Sequence, residues 1–390
     1  MKKWQAGSFL LVPIMFLSIL TSAAQASTPE CRFAGQVVLI SGKKSVCAPV
    51  SGNIAWINVS KKPTKNLSKY EKTKLKAYRA IQNAISKEAP KNIELKYDIS
   101  ANFPEELKAR YIEQSEYATR LYDQFFNQPT IVNVYLHTEK DEKYIRSHPL
   151  MGKDASDFDV WFADWRAGRL TQHNIGLIAR FGEQTGKAEG HTGVLVPSSS
   201  KISTLQLYAD QVVAHEYFHV IQDLFKYKRD QQGYELGPNR FDLYYPPIFR
   251  EGSANTVATA VSMRNFEDYL LFYRSFILQN ISSKPFNTLT STSAIIKVLN
   301  EIEYGKSFPE AHWTAYPVGS LVFEWLIAEY GFDTYKKIVY NQELNKPFEE
   351  NLKLSTGLTM DQLYAKSAQH VLGGFQDALK LNTLKPVQRR

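Results

Sequence analysis

The chain has 390 residues, with 47 Lys and Arg against 39 Asp and Glu, a formal charge of +8 that falls to +6 once a leader carrying Lys2 and Lys3 is removed. A surplus of that size over this length, with no zinc-finger or other nucleic-acid signature beside it, does not mark a nucleic-acid binder, and nucleic acid is not an expected partner. No convincing internal repeat and no long low-complexity tract is found, and the length allows one large domain or two lobes.

Residues 1–26 read as a secretory signal peptide: Met1-Lys2-Lys3 is a basic start, Phe9 to Leu20 an apolar stretch, and Ala24-Gln25-Ala26 a small-residue cleavage site. An anchoring helix is the competing reading, but the apolar run is short and interrupted by Pro13. The expected location is therefore secreted or periplasmic. Residues 27–65 predict a small N-terminal β element. Cys31 and Cys47 are the only cysteines, and they flank a strand-like run at 36–40 and the turn Ser41-Gly42-Lys43. In an oxidising compartment that pair predicts one disulfide closing a hairpin, a contribution of about 3 kcal/mol for a loop of this size. Lys61, Lys62, Lys65, Lys69, Lys72, Lys74 and Lys76 then make the one dense basic run. It reads as a solvated helix face, with contact to an anionic cell envelope or an acidic substrate as the functional alternative.

Helix-like segments at 66–88 and 103–127 alternate with strand-like runs at 93–99 and 130–137. Two more strand-like runs, at 174–181 and 191–196, are separated by the turn-rich Gly182-Glu183-Gln184-Thr185-Gly186. This mixture predicts an α/β (α+β) fold, with a mixed upper lobe over 66–228 and a mostly helical lower lobe over 229–390. No later stretch reads as a membrane span, since Glu324 breaks the most apolar one.

Ser203 and Thr204 can cap a helix whose apolar Leu207, Val212, Val213, Phe218, Val220, Ile221 and Leu224 spread round most of its circumference, which predicts a buried helix. On it lies His215-Glu216-Tyr217-Phe218-His219, in a chain with only eight histidines. Histidines four apart share a helix face with Cβ atoms about 5–6 Å apart, so both can reach one zinc ion with Zn–N bonds of about 2.0–2.1 Å. Glu216 points to the neighbouring flank, close to the metal yet free to take a proton. The bland alternative is a core helix whose histidines satisfy backbone carbonyls. The connection over 226–249 is long and polar, with Gly233, Gly237, Pro238, Pro246 and Pro247, and reads either as a lid or as a simple connector.

A catalytic zinc keeps three protein ligands and one open position, and the best third candidate is Glu251. It follows Pro246 and Pro247 and opens a second helix whose Gly252, Ser253, Ala254, Ala258 and Ala260 are small enough for close approach to the first. Asn255, one turn on, is placed to orient His215 or His219 through a free ring nitrogen. Further along, Pro317 at a first helical position and Gly331 just past the end frame another helix, leaving Tyr316 at its positive end.

The His-Glu-Tyr-Phe-His pentad followed by Arg250-Glu251-Gly252-Ser253-Ala254-Asn255 resembles the gluzincin metallopeptidases, the thermolysin-like and collagenase-like group. The resemblance covers roughly residues 190–370 and is carried by the two motifs. It implies a zincin-like two-lobed fold and Zn2+ held by His215, His219 and Glu251. It implies Glu216 as general base toward a peptide or protein substrate, and an edge strand near 191–196 on which a peptide could pair, although by its residues that run reads equally well as an ordinary sheet strand. It also implies Tyr316 as the donor to the oxyanion, with His312 as runner-up. The absence of a Gly-x-Met-Glu-Asn-like segment points to an endopeptidase. The rival reading is a catalytically silent zincin-like envelope or binding protein, against which the intact Glu216 argues.

Overall fold

The computed structural model describes residues 30–31, 37–40, 43–50, 53–58, 66–152, 158–167, 174–183, 188–201, 210–231, 246–280, 286–304, 314–344 and 346–380. The leader, Lys61, Lys62, Lys65, the proposed caps Ser203 and Thr204, Leu207, most of the 226–249 connection and His312 lie outside these residues.

Three antiparallel strands, β1 (Val37–Ile40), β2 (Lys43–Val50) and β3 (Asn53–Asn58), form the N-terminal element. Strand alternation gives it two faces. Val46 and Ile57, paired across β2 and β3, belong to the main hydrophobic core, while Cys47 and Trp56, the next pair, pack with Val38 around the Cys31–Cys47 disulfide. The expected bridge is present.

Helix α1 (Lys69–Ala84) begins at a Ser68/Glu71 capping box. Strand β4 (Ile93–Ile99), helix α2 (Glu105–Tyr122) and strand β5 (Thr130–Thr138) follow, then α3 (Glu142–Ser147), α4 (Asp159–Arg166), β6 (Ile175–Glu183) and β7 (Ala188–Val196). The four strands make one sheet in the order β4-β5-β7-β6, parallel except for the antiparallel β6 at its edge. Val134, Leu136, Val194 and Val196 pack on Leu107 and Tyr111 of α2, while Tyr135 and Leu195 pack on Ile145, Phe162 and Trp165 of α3 and α4. The sheet is thus buried on both faces, as parallel strands require. The 191–196 run is therefore an ordinary inner strand rather than an edge, and β6 lies outside it at the sheet's edge. Helices α3 and α4 were not expected from the sequence.

Among the described residues the elements beyond β7 are all helical: α5 (Val212–Gln231), α6 (Ala254–Ser262), α7 (Phe266–Asn280), α8 (Thr292–Tyr304), α9 (Ser320–Tyr330), α10 (Phe332–Tyr340), α11 (Phe348–Thr356) and α12 (Met360–Leu379). Gly331 at φ 85° and Gly357 at φ 76° turn the chain after α9 and α11 in a region that side chains with a Cβ avoid. The whole is a mixed α/β (α+β) fold, and among the described residues no helix is long and apolar enough to cross a membrane.

The basic run is not uniformly solvated. Lys69, Lys72 and Lys76 are exposed, but Lys74 shares the inward stripe of α1 with Ala77, Tyr78 and Ile81 and is fully buried. Its Nζ lies 2.6 Å from Glu324 Oε1 of α9, and Glu324 Oε2 accepts from His370 Nε2 of α12 at 2.7 Å. Tyr273, Tyr269 and Tyr70 ring the ammonium at 3.2, 4.8 and 5.4 Å from their centroids. Two residues that break hydropathy patterns locally are thus partners. Burial lowers the Lys74 pKa to about 8, against the pull of Glu324. Burial also lowers His370, whereas for Glu324 the effect of burial is overcome by Lys74 and His370, which hold it below the usual carboxylate range. Both His370 and Glu324 therefore bind protons less readily in the folded chain than in the unfolded one. Stability is expected to fall as pH drops through about 6.5 and again through about 4.5. Denaturant unfolding of wild type and His370→Gln should show the upper part of that fall diminished in the variant; matching acid profiles would contradict the assignment.

Candidate metal centre

The start of α5 is fixed from two sides. Arg110 of α2 grips the Asp210 carboxylate through Nε and Nη2 at 3.1–3.3 Å, and it also bonds the Ser262 carbonyl at the end of α6. One guanidinium thereby ties together α2, α5 and α6. Helix α5 packs across β6 and β7 on one side and α6 on the other, with Val213, Phe218, Val220, Ile221 and Leu224 buried as its sequence predicts.

His215 and His219 emerge from this helix one turn apart, with their Nε2 atoms separated by 3.0 Å. Glu251 reaches them from a π-helical turn, Ile248–Ser253, that leads into α6. Its Oε2 lies 3.3 Å from each Nε2. Three ligand atoms thus converge in a triangle of 3.0–3.3 Å sides. A tetrahedral zinc with bonds of about 2.0–2.1 Å requires ligand atoms roughly 3.3–3.4 Å apart, so the residues fit such an ion. His215 and Glu251 are buried and His219 nearly so. Among the described residues this is the one group of His, Cys, Asp and Glu whose atoms could hold a metal ion. Burial alone would raise the Glu251 pKa, but His219 and His215 hold it well below the usual carboxylate range. His219 is in turn raised by Glu251 against the effect of burial.

The residues around this triangle differ in part from expectation. Asn255 contacts neither imidazole: its Oδ1 accepts from Gln211 Nε2 at 2.6 Å and its Nδ2 faces the Tyr316 carbonyl at 3.5 Å. It joins the start of α5 to the Tyr316 segment because its position on α6 faces that segment. The imidazole-orienting role falls to Gln222. Its Nε2 donates to the Arg250 carbonyl at 3.1 Å, which leaves Oε1 to accept from His219 Nδ1 at 2.7 Å. That bond places the proton on Nδ1 and the lone pair on Nε2, toward the other ligands. Gln222 stands three residues after His219, on the same helix face, and that i,i+3 spacing was the signal available in the sequence. The other ring nitrogen of His215 has no hydrogen-bond partner among the described residues. With metal bound, Gln222→Ala should lower affinity by about 10–100-fold. Chelator competition measures this, and an unchanged affinity would remove Gln222 from the site.

Gly252 makes its close approach to a different partner from the one expected. It backs onto Gly319, where a Cβ would fall 2.5 Å from the carbonyl carbon and 2.6 Å from Cα. Gly319 ends a second π-helical turn, Ala315–Gly319, which carries Tyr316. Pro317 is therefore not the first helical residue, because the helical path is already under way at Thr314 and runs into α9. π-Turns recur at functional sites, and here two of them present Glu251 and Tyr316. The Tyr316 ring stacks on His215 at 5.5 Å with an interplanar angle of 19°. Burial, the Glu251 charge and a hydrogen bond to Glu251 hold its hydroxyl protonated, with a pKa well above the usual tyrosine value.

Glu216 is not one of the converging ligands. Its carboxylate rests against Gly176 of β6. Burial and Glu251 push its pKa up, and the two histidines pull it down, with the net effect upward. Arg250 places its Nε 3.2 Å from Glu251 Oε1. Gln222, Gly176, Arg250 and Gln211 are the neighbours of the site to which sequence reasoning gave no role. The chain matches no family model, no curated protein and no solved structure, so the reading of this site rests on its own geometry.

Proposed function

We propose that the chain is a secreted or periplasmic zinc metallopeptidase, an endopeptidase with the two-lobed zincin-like arrangement of the gluzincins. The observation that carries the proposal is the convergence of His215, His219 and Glu251 to 3.0–3.3 Å, with the partly buried Glu216 beside them but outside the triangle. Two imidazoles and a carboxylate also suit ferrous iron. What favours zinc and hydrolysis is the extra carboxylate, since water activation needs a proton acceptor that is not itself a ligand.

The residues divide the work. His215 and His219 would hold the ion through Nε2, and Glu251 through Oε2. Zinc bound there supplies a Lewis acid that polarises a carbonyl and lowers the pKa of a water toward about 7. Glu216 takes the proton of the attacking water and delivers it to the leaving amine as the C–N bond breaks. Its carboxylate lies beside the ligands without being one of them, so it is free to accept that proton. Tyr316, kept protonated at the rim of the triangle, donates to the oxygen on which negative charge develops.

The test is elemental analysis of the purified protein together with hydrolysis of a mixed peptide library. One zinc per chain with reproducible internal cleavage is the expected result. Zinc without cleavage, or iron in its place, would contradict the proposal. Sequencing the amino terminus of protein recovered from periplasm or medium checks the secretory part, which requires a start near Ser27.

A further inference from the structure

Gly176 has no backbone reason to be glycine. Its φ is not among the positive values found at Gly182, Gly331 and Gly357, so a residue with a Cβ could adopt the same conformation. Inside a strand glycine is unfavourable and marks a bulge or a close approach. Both occur here. A Cβ on Gly176 would fall within the Glu216 carboxylate, 2.9 Å from Oε2 and closer still to Cδ and Oε1. The register of β6 on β7 slips just beyond it, with Gly176 opposite Val194 and Ile178 opposite Gly193. That extra residue lets Leu177 and Ile178 both pack in the cluster on the α3 and α4 face, while Gly176 stays turned toward α5. The edge strand therefore departs from regular form beside its contact with Glu216.

We infer that Gly176 is a positioning residue for Glu216, an inference that rests on the metallopeptidase reading above. The notch left by the missing side chain lets the carboxylate lie against the strand backbone beside the metal ligands, and the strand limits its swing on that side. An alanine would fill the notch. The obstacle it meets is the far end of a flexible side chain rather than backbone, so the carboxylate rotates away and the strand stays in place. The fold and the three metal ligands are untouched, and what is lost is the placement of the base. Misplacing a reacting group by about 1 Å costs on the order of a hundredfold in rate.

Gly176→Ala, assayed beside wild type, Glu216→Asp and the double variant, tests this. Expected are unchanged zinc stoichiometry and melting temperature, kcat lower by about a hundredfold with KM within about twofold, and a smaller proportional loss in the Glu216→Asp background, where the shorter side chain clears the added methyl. A crystal structure of zinc-loaded Gly176→Ala should show the Glu216 carboxylate displaced. Full activity in Gly176→Ala beside an active wild type overturns the inference alone, as does a loss confined to KM, a loss of zinc, or a loss fully additive with Glu216→Asp. A wild type that cleaves no peptide overturns the peptidase reading, and the inference with it.

Discussion

Glu216→Gln is expected to retain one zinc per chain while kcat/KM for peptide cleavage falls by about a thousandfold, within the range for loss of a general acid–base residue. The separation of the two effects follows from the geometry. The atoms that converge are Nε2 of His215, Nε2 of His219 and Oε2 of Glu251, and Glu216 contributes none of them. Glutamine has the same shape and can occupy the same notch over Gly176, so the ligand triangle has no reason to move. It cannot accept a proton at neutral pH, however, and proton transfer is the one task Glu216 is given. The amide also removes a negative charge near His219, for which Glu216 favours the protonated form. That change favours neutral imidazole but also takes an anion from beside a dication, so zinc should be retained through its three ligands rather than bound more tightly. Metal analysis and steady-state kinetics on the same preparation decide the matter. Undiminished cleavage would remove Glu216 from the mechanism, and loss of zinc would mean that it serves as a ligand.

The second large effect is expected at Gly252. Alanine there is overpacked by about 1–3 kcal/mol, and zinc affinity should fall by more than about tenfold, since supporting contacts to metal ligands carry effects of that size. The added methyl would meet the Gly319 carbonyl carbon at 2.5 Å, its Cα at 2.6 Å and its oxygen at 2.9 Å. All three are backbone atoms, which cannot rotate aside as a side chain can. Relief requires the two π-turns to separate, and these turns carry Glu251 and Tyr316. The reciprocal change, Gly319→Ala, meets its nearest atoms at 3.1 Å, so it should be milder in both respects. Thermal unfolding and chelator competition on the two variants read out stability and affinity independently. Wild-type behaviour in Gly252→Ala would mean that the turns are not held back to back.

What the sequence revealed about this site is local in origin. The spacing of His215 and His219 defines a shared helix face without reference to the rest of the chain. The two prolines before Glu251, with small residues after it, announce a helix start and a close contact. The Cys31–Cys47 bridge follows from an even pair around a strand. What escaped notice depends on distant partners. Nothing near Gly252 says that its neighbour is Gly319 rather than α5, and nothing near Asn255 says that it meets Gln211 before any imidazole. Lys74 looks like one more lysine in a basic run until Glu324 is brought to it. The edge position of β6 cannot be read from its residues, because β6 and β7 are similar in length and apolarity and only the pairing distinguishes them. Gln222 is the exception, since its i,i+3 relation to His219 was present in the sequence.

The buried ammonium of Lys74 also has a bearing on when the molecule can close. Lys74 and Glu324 are 250 positions apart in the chain, and His370, which completes their arrangement, stands on α12. During synthesis, α1 emerges long before α9 and α12, and until they arrive its inward face carries a charge with no counterpart. A contact of such large sequence separation is slow to form and late to contribute. The chain should therefore remain open until nearly its full length is available. The pairing that seals its interior cannot be made from the first half of the chain alone.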